Sequence, residues 1–186
     1  DTPGRLDPAR LDLFRLVDTA GGGPCFVYSV DAIAARVGAL RRALPDGLAL
    51  RYAVKANPFP PLLQHVAGLV DGLDVASGRE MRAGLNATRD AARLAYAGPG
   101  KTDAELAAAI AGGVLLEAES PGEVRRIRRL AADHGRRARL ALRLNPGVTA
   151  SGAGLRMAGP TAFGMGPDDA VAVLAELDEG AVAYEG

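Results

Sequence analysis

Short apolar runs alternate with longer amphipathic stretches along most of the chain. Residues 25–30 (CFVYSV) precede 31–44 (DAIAARVGALRRAL), 50–56 (LRYAVKA) precede 60–70 (PPLLQHVAGLV), and 73–77 (LDVAS) precede 79–85 (REMRAGL). The series goes on with 93–99 (RLAYAGP) before 103–113 (DAELAAAIAGG) and 114–120 (VLLEAES) before 122–135 (GEVRRIRRLAADHG). Then 139–146 (RLALRLNP) precedes a Gly-rich loop and 168–180 (DDAVAVLAELDEG), and 181–186 (AVAYEG) is a further run. Runs of this length read as buried strands, and the stretches between them carry the spacing of helices packed on one face. The rhythm is that of a parallel sheet covered by helices. Residues 1–23 stand apart as a helical extension and linker: Leu11, Phe14 and Val17 are spaced for a helix, and Gly21-Gly22-Gly23-Pro24 ends it. The main body is expected over 24–186.

The junctions support the same reading. Ser77-x-x-Glu80, Thr102-x-x-Glu105 and Ser120-x-x-Glu123 each follow an apolar run. In each, the hydroxyl can accept from an amide of the first helical turn while the Glu reaches back to the cap amide. Pro121 occupies the favoured first helical position.

The repeat of about twenty residues from Lys55 onward suits a (β/α)8 TIM-like barrel. No G-x-G-x-x-G follows any strand, which takes support from a dinucleotide-binding open sheet. A full barrel needs around 250 residues. Six strands are countable from residue 50, so the expectation is a barrel truncated after about six strands.

Charge and composition narrow the function. The 22 basic and 22 acidic residues cancel, which gives no reason to expect nucleic acid or an anionic membrane as partner. Charges interrupt the apolar runs, the first residues lack the order of a signal peptide, and Cys25 stands alone, so a cytoplasmic protein is expected. Cys25 itself opens an apolar run and reads as a small buried hydrophobe. Only two of the 22 basic residues are lysines, Lys55 and Lys101, so a lysine inside an apolar segment stands out.

In a barrel the working side chains lie at the C-terminal ends of strands. The charged residues there are Lys55, Asp74, Glu117, Glu119 and Arg143. A lysine, an aspartate and an arginine converging on such a mouth suit a phosphorylated carbonyl cofactor held as an imine. Salt-bridged structural roles for the same residues remain an equal alternative at this point.

Tyr52-Ala53-Val54-Lys55-Ala56-Asn57-Pro58 resembles the pyridoxal-phosphate lysine motif of the fold-type III decarboxylases, which act on ornithine, arginine, lysine and diaminopimelate. Leu73-Asp74-Val75-Ala76-Ser77-x-x-Glu80, Ala97-Gly98-Pro99-Gly100-Lys101-Thr102, Glu119-Ser120, Leu142-Arg143-Leu144-Asn145-Pro146 and Phe163-Gly164 occur in the family's order. Residues 64–74 and 99–106 are similar to the exosortase-associated branch. The resemblance implies the alanine racemase N-terminal type of barrel, with pyridoxal 5'-phosphate as cofactor. It also implies a homodimer in the complete protein and decarboxylation of an amino acid (basic, diaminopimelate or carrier-bound) through a Lys55 aldimine.

By the same resemblance Asp74 would lie beside the cofactor and Lys55, and Arg143 would line the cofactor site. Glu80 matches a further acid, although its cap explains it as well. Lys101 reads as a surface or loop-fixing residue, and Glu117 is given no role. His65 reads as a packing or surface residue and His134 as a helix-end residue. The family's stacking histidine, phosphate loop and second, β-rich domain are expected beyond these residues. Residues 151–160 are a plausible substrate selector. Two other readings stay open: a catalytically incomplete or regulatory homologue that binds a full-length relative, and an alanine-racemase-like barrel.

Overall fold

Six parallel strands lie side by side in the order in which the chain makes them. They are β1 (Arg51–Ala53), β2 (Gly72–Val75), β3 (Leu94–Tyr96), β4 (Leu115–Ala118), β5 (Ala138–Leu142) and β6 (Val182–Tyr184). A computed structural model describes residues 11–145, 162–177 and 180–186. The strands are joined by α3 (Pro60–Ala67), α4 (Gly78–Thr88), α5 (Asp103–Gly112), α6 (Pro121–Asp133) and α7 (Pro167–Ala175), with α1 (Leu13–Thr19) and α2 (Val30–Ala43) preceding β1. Each strand pairs with the next in sequence, and among the described residues the order does not reverse as it does in a doubly wound sheet. Six consecutive parallel strands joined by five helices form an arc of a (β/α) barrel, as expected.

Alternation along the strands separates two populations of side chains. Leu73, Val75, Leu94, Tyr96, Leu116, Ala118 and Leu140 are buried in the core that also holds Leu63, Met81, Leu106, Ile110, Val124 and Ile127 from the helices. The opposite set includes Ala53, Asp74, Glu117 and Ala141, which line the inside of the arc. Small residues and charges there are unsuited to a packed apolar filling, and they leave room at the mouth.

The helix starts are close to expectation with one difference. Thr102 forms the complete reciprocal cap with Glu105. Ser77 and Ser120 also accept from the third helical amides, those of Glu80 and Glu123. Their glutamates, however, take the amide one residue earlier, Ala76 N–H at 2.8 Å and Glu119 N–H at 2.9 Å. That shift ties each helix to the strand end preceding it.

Two expectations fail at the N-terminal side. Residues 24–29 form no strand, Phe26 is 91% exposed and Cys25 is exposed rather than buried. A strand requires a ladder partner, and among the described residues β1 pairs with β2 only. The run 50–56 is also shorter as a strand than its hydrophobicity implies, since Val54–Ala56 turn into a 3-10 helix. No helix among the described residues is long and apolar enough to cross a membrane.

Candidate active site

Lys55 owes its position to that turn. Val54, fully buried, anchors it, and Asn57 N–H donates to the Val54 carbonyl at 3.1 Å. Asn57 Oδ1 then accepts from Phe59 N–H at 3.0 Å, which starts the chain toward Pro60 at the head of α3. The lysine is left at the mouth of the arc, in a cavity of about 510 Å³ that Asp74, Glu117 and Arg143 also line. The structure thus brings together all three residues singled out from sequence, Lys55, Asp74 and Arg143. A cavity of this volume lies within the ordinary range for small-ligand sites.

The two carboxyls inside the arc are both raised above the ordinary range. For Asp74 burial is the main cause, opposed by the positive charges of Arg51 and Lys55. For Glu117 burial again leads, followed by repulsion from Asp74, with Arg143, Arg51 and Lys101 opposing. Asp74 Oδ1 is buried and has no hydrogen-bond partner. Below them, Arg51 Nη1 donates to the Arg93 carbonyl at 3.2 Å. A side chain at Gly72 would meet that carbonyl at 2.5 Å and the Arg51 guanidinium at 2.7 Å, so glycine makes room for this floor.

Arg143 follows β5, with its N–H on the Ala118 carbonyl at 2.8 Å. Its guanidinium lies over the Phe163 ring, 5.2 Å from the centroid, and donates to Glu119 Oε1 at 2.9 Å. Glu119, whose side chain is 1% exposed, also accepts from the backbone amides of Gly98 and Gly164. Gly164 has φ +79°, and a Cβ there would stand 3.0 Å from the backbone of residues 143–145. One carboxylate therefore ties together the loops that follow β3, β4 and β5.

Lys101 is no surface residue. Its ammonium is 4% exposed as a residue and donates to Glu123 Oε1 and to the carbonyls of Gly98 and Glu117, each at 2.8 Å. It fixes the loop from within, as the alternative reading had it. Glu119 stood among the charged strand ends without a role and Glu123 only as the acid of a helix cap, although the repeated Ser-x-x-Glu after an acidic strand end was the available sign. Glu80 serves its helix start through Ser77 and Ala76. His65 lies in α3 with a buried Nε2, and His134 caps α6. The proposed selector, residues 151–160, lies outside the described residues. No cluster of three His, Cys, Asp or Glu among the described residues is arranged for a metal ion.

Fold and cavity define a (β/α) barrel domain whose strand ends open on one charged site. The chain belongs to the family described as pyridoxal-dependent decarboxylase, pyridoxal binding domain, which matches residues 30–181. Diaminopimelate decarboxylase of Aquifex aeolicus is 40% identical over 146 residues, 78% of this chain and 34% of that protein. A Staphylococcus aureus protein named 2-[(L-alanin-3-ylcarbamoyl)methyl]-2-hydroxybutanedioate decarboxylase is 33% identical over 146 residues, 77% of this chain and 36% of that one. Among solved structures, diaminopimelate decarboxylase of Helicobacter pylori complexed with L-lysine has a TM-score of 0.79 at 25% identity, covering 92% of this chain and 45% of its own. The chain thus spans about a third of the length of these curated relatives.

The family's cofactor is pyridoxal phosphate, and the residues present fit it. Lys55 would offer an amine to its aldehyde, Arg143 would offer a rigid donor fork to an anionic oxygen, and the orphaned Asp74 Oδ1 would offer a polar atom inside the cavity.

Proposed function

We propose that the complete protein is a pyridoxal-phosphate-dependent amino-acid decarboxylase and that residues 24–186 are part of its cofactor barrel, with 1–23 as an extension. The observation that carries the reading is the convergence of Lys55, Asp74 and Arg143 on one cavity at the strand ends. With pyridoxal phosphate bound, its ring would supply the electron sink for the charge left when a carboxyl group departs as CO2.

The chain's own residues have separate parts in this. Lys55 would hold the cofactor covalently, yield its place to the substrate amine and carry a proton on its Nζ. Asp74, on the cavity wall above that floor, would orient Lys55 and balance positive charge beside it. Arg143 would hold an anionic oxygen of the cofactor or substrate, with Glu119 and Phe163 keeping its fork in one orientation. Substrate is proposed as an amino acid of the diaminopimelate class, supported by the name of the Aquifex relative. The likeness of residues 64–74 and 99–106 to the exosortase-associated branch supports a carrier-bound amino acid as the second candidate. A homodimer in the cytoplasm is proposed on the family resemblance.

The test is chemical trapping. The complete protein is incubated with pyridoxal phosphate, reduced with borohydride and digested, and CO2 release is followed with diaminopimelate, lysine, ornithine and arginine. A label on Lys55 and turnover of one of these amino acids are expected. A label on Lys101, or no label, would remove Lys55 from the reaction.

A further inference from the structure

Both halves of one buried ion pair grip the backbone that carries Glu119. Lys101 Nζ donates to Glu123 Oε1 at 2.8 Å, with the two side chains 1% and 5% exposed. The same ammonium donates to the Glu117 carbonyl at 2.8 Å, while Glu123 Oε2 accepts from Glu119 N–H at 2.9 Å. The end of β4 is thus held at residue 117 by the cation and at residue 119 by its carboxylate partner. Lys101 also donates to the Gly98 carbonyl at 2.8 Å, and the Gly98 amide donates to Glu119 Oε1. Gly98 turns its two backbone groups to these separate partners at φ +103°, a conformation that favours glycine. The Tyr96 ring, with its centroid 5.6 Å from Nζ, adds an aromatic face to the ammonium's surroundings.

Stability alone gives little reason for such a pair, because apolar residues of similar volume often serve a buried position as well. What the pair adds is direction. It fixes the Glu119 amide through Glu123, and it fixes the Gly98 peptide, whose amide holds the Glu119 carboxylate. Glu119 Oε1 in turn accepts from Arg143 Nη1 at 2.9 Å, and Arg143 lines the mouth cavity. Every step from Lys101 to the cavity is a hydrogen bond or a single peptide unit.

We propose that Lys101 and Glu123 are positioning residues of the site, acting through Glu119 on the guanidinium of Arg143. Neither lines the cavity, so neither meets its occupant directly. Their effect is on the angle and reach with which the Arg143 fork meets an anionic oxygen. The proposal rests on the cofactor reading in so far as that oxygen belongs to pyridoxal phosphate. The hold on Arg143 is a property of the protein without cofactor.

The experiment is a double-mutant cycle on the complete protein, read as the dissociation constant of pyridoxal phosphate. K101M and E123Q are each made alone and combined with R143A. Each is expected to weaken binding about tenfold, an ordinary coupling between members of one hydrogen-bonded network, and to have no further effect in the R143A background. E123Q keeps the shape of the side chain and an acceptor for the Glu119 amide, so the cycle stays decisive if K101M does not fold. Equal losses in the wild-type and R143A backgrounds would show damage that bypasses Arg143 and overturn the proposal, as would unchanged binding in either folded variant. A second readout is the nitrogen-15 NMR signal of Arg143 Nε–H in the cofactor-free protein. Its proton is expected to exchange with water faster in K101M and E123Q than in wild type, and unchanged exchange in both would also overturn the proposal. A wild-type protein that binds no pyridoxal phosphate would instead sink the cofactor reading, and the Arg143 signal would still decide the positioning.

Discussion

Glu119 Oε1 meets Arg143 Nη1 at 2.9 Å across the ends of β4 and β5, the carboxylate buried and the guanidinium about a quarter exposed. The same carboxylate closes on the amides of Gly98 and Gly164, so the arginine is aimed by a group that three loops hold in place. A guanidinium fixed by a buried acid on one edge and an aromatic face beneath loses little freedom when it binds an anion.

Replacing Glu119 by Ala is expected to cost about 3 kcal/mol of stability, because a buried charge partner and two amides lose their acceptor together. Denaturant unfolding measures this. Cofactor affinity should fall at the same time, and an E119A protein with wild-type stability and wild-type pyridoxal-phosphate binding would deny the residue its positioning role.

The Lys101–Glu123 pair, with side chains 1% and 5% exposed, predicts a non-additive mutant cycle. Lys101→Met alone leaves a buried carboxylate unpaired and is expected to cost about 3–5 kcal/mol. Adding Glu123→Leu should recover part of that loss, not all, because Glu119 N–H then lacks its acceptor. Equal unfolding midpoints for the single and double variants would contradict the coupling.

Glu105 makes acid stability specific to one carboxylate. Thr102 and Gly78 amides, with the Thr102 hydroxyl, lower it from 4.5 to about 2. A lowered folded value means that its contribution is complete above the unfolded value and is lost as pH falls from about 4.5 to about 2. The thermal midpoint of Glu105→Gln should therefore change less steeply than wild type across that window. Parallel curves for the two proteins would refute it.

Glu117 has the opposite sign. Burial and Asp74 raise its carboxyl, so folding is opposed as pH rises from the ordinary carboxylate range through the raised folded value. Glu117→Gln is expected to be more stable than wild type at neutral pH and no more stable in acid below that range. Thermal midpoints at both pH values decide the matter, and a loss of stability at neutral pH would count against a strained carboxyl.

Lys55→Ala should abolish borohydride-trapped cofactor and CO2 release while leaving the thermal midpoint close to wild type, since the lysine side chain is exposed. Persistent trapping on another residue would show that the imine forms elsewhere.

The hydrophobic rhythm and the hydroxyl-x-x-Glu junctions made the six strands and the five helices between them legible without coordinates, and the strand ends pointed to Lys55, Asp74 and Arg143. The run 25–30 misled, because apolar β-formers announce a strand whether or not a partner backbone lies beside them. Lys101 and Glu123 were illegible as a buried pair, since each sits in a helix-start motif that surface residues satisfy equally well.

The sequence by itself determined which segments are strands, where helices begin and which lysine stands out, because periodicity, capping and composition are local properties of the chain. Only the tertiary structure decided that Glu119 aims Arg143, that Lys101 is buried, and that Asp74 and Glu117 line one cavity. Those relations join residues 16 to 45 positions apart, and strand order and register, rather than any local pattern, bring them within reach.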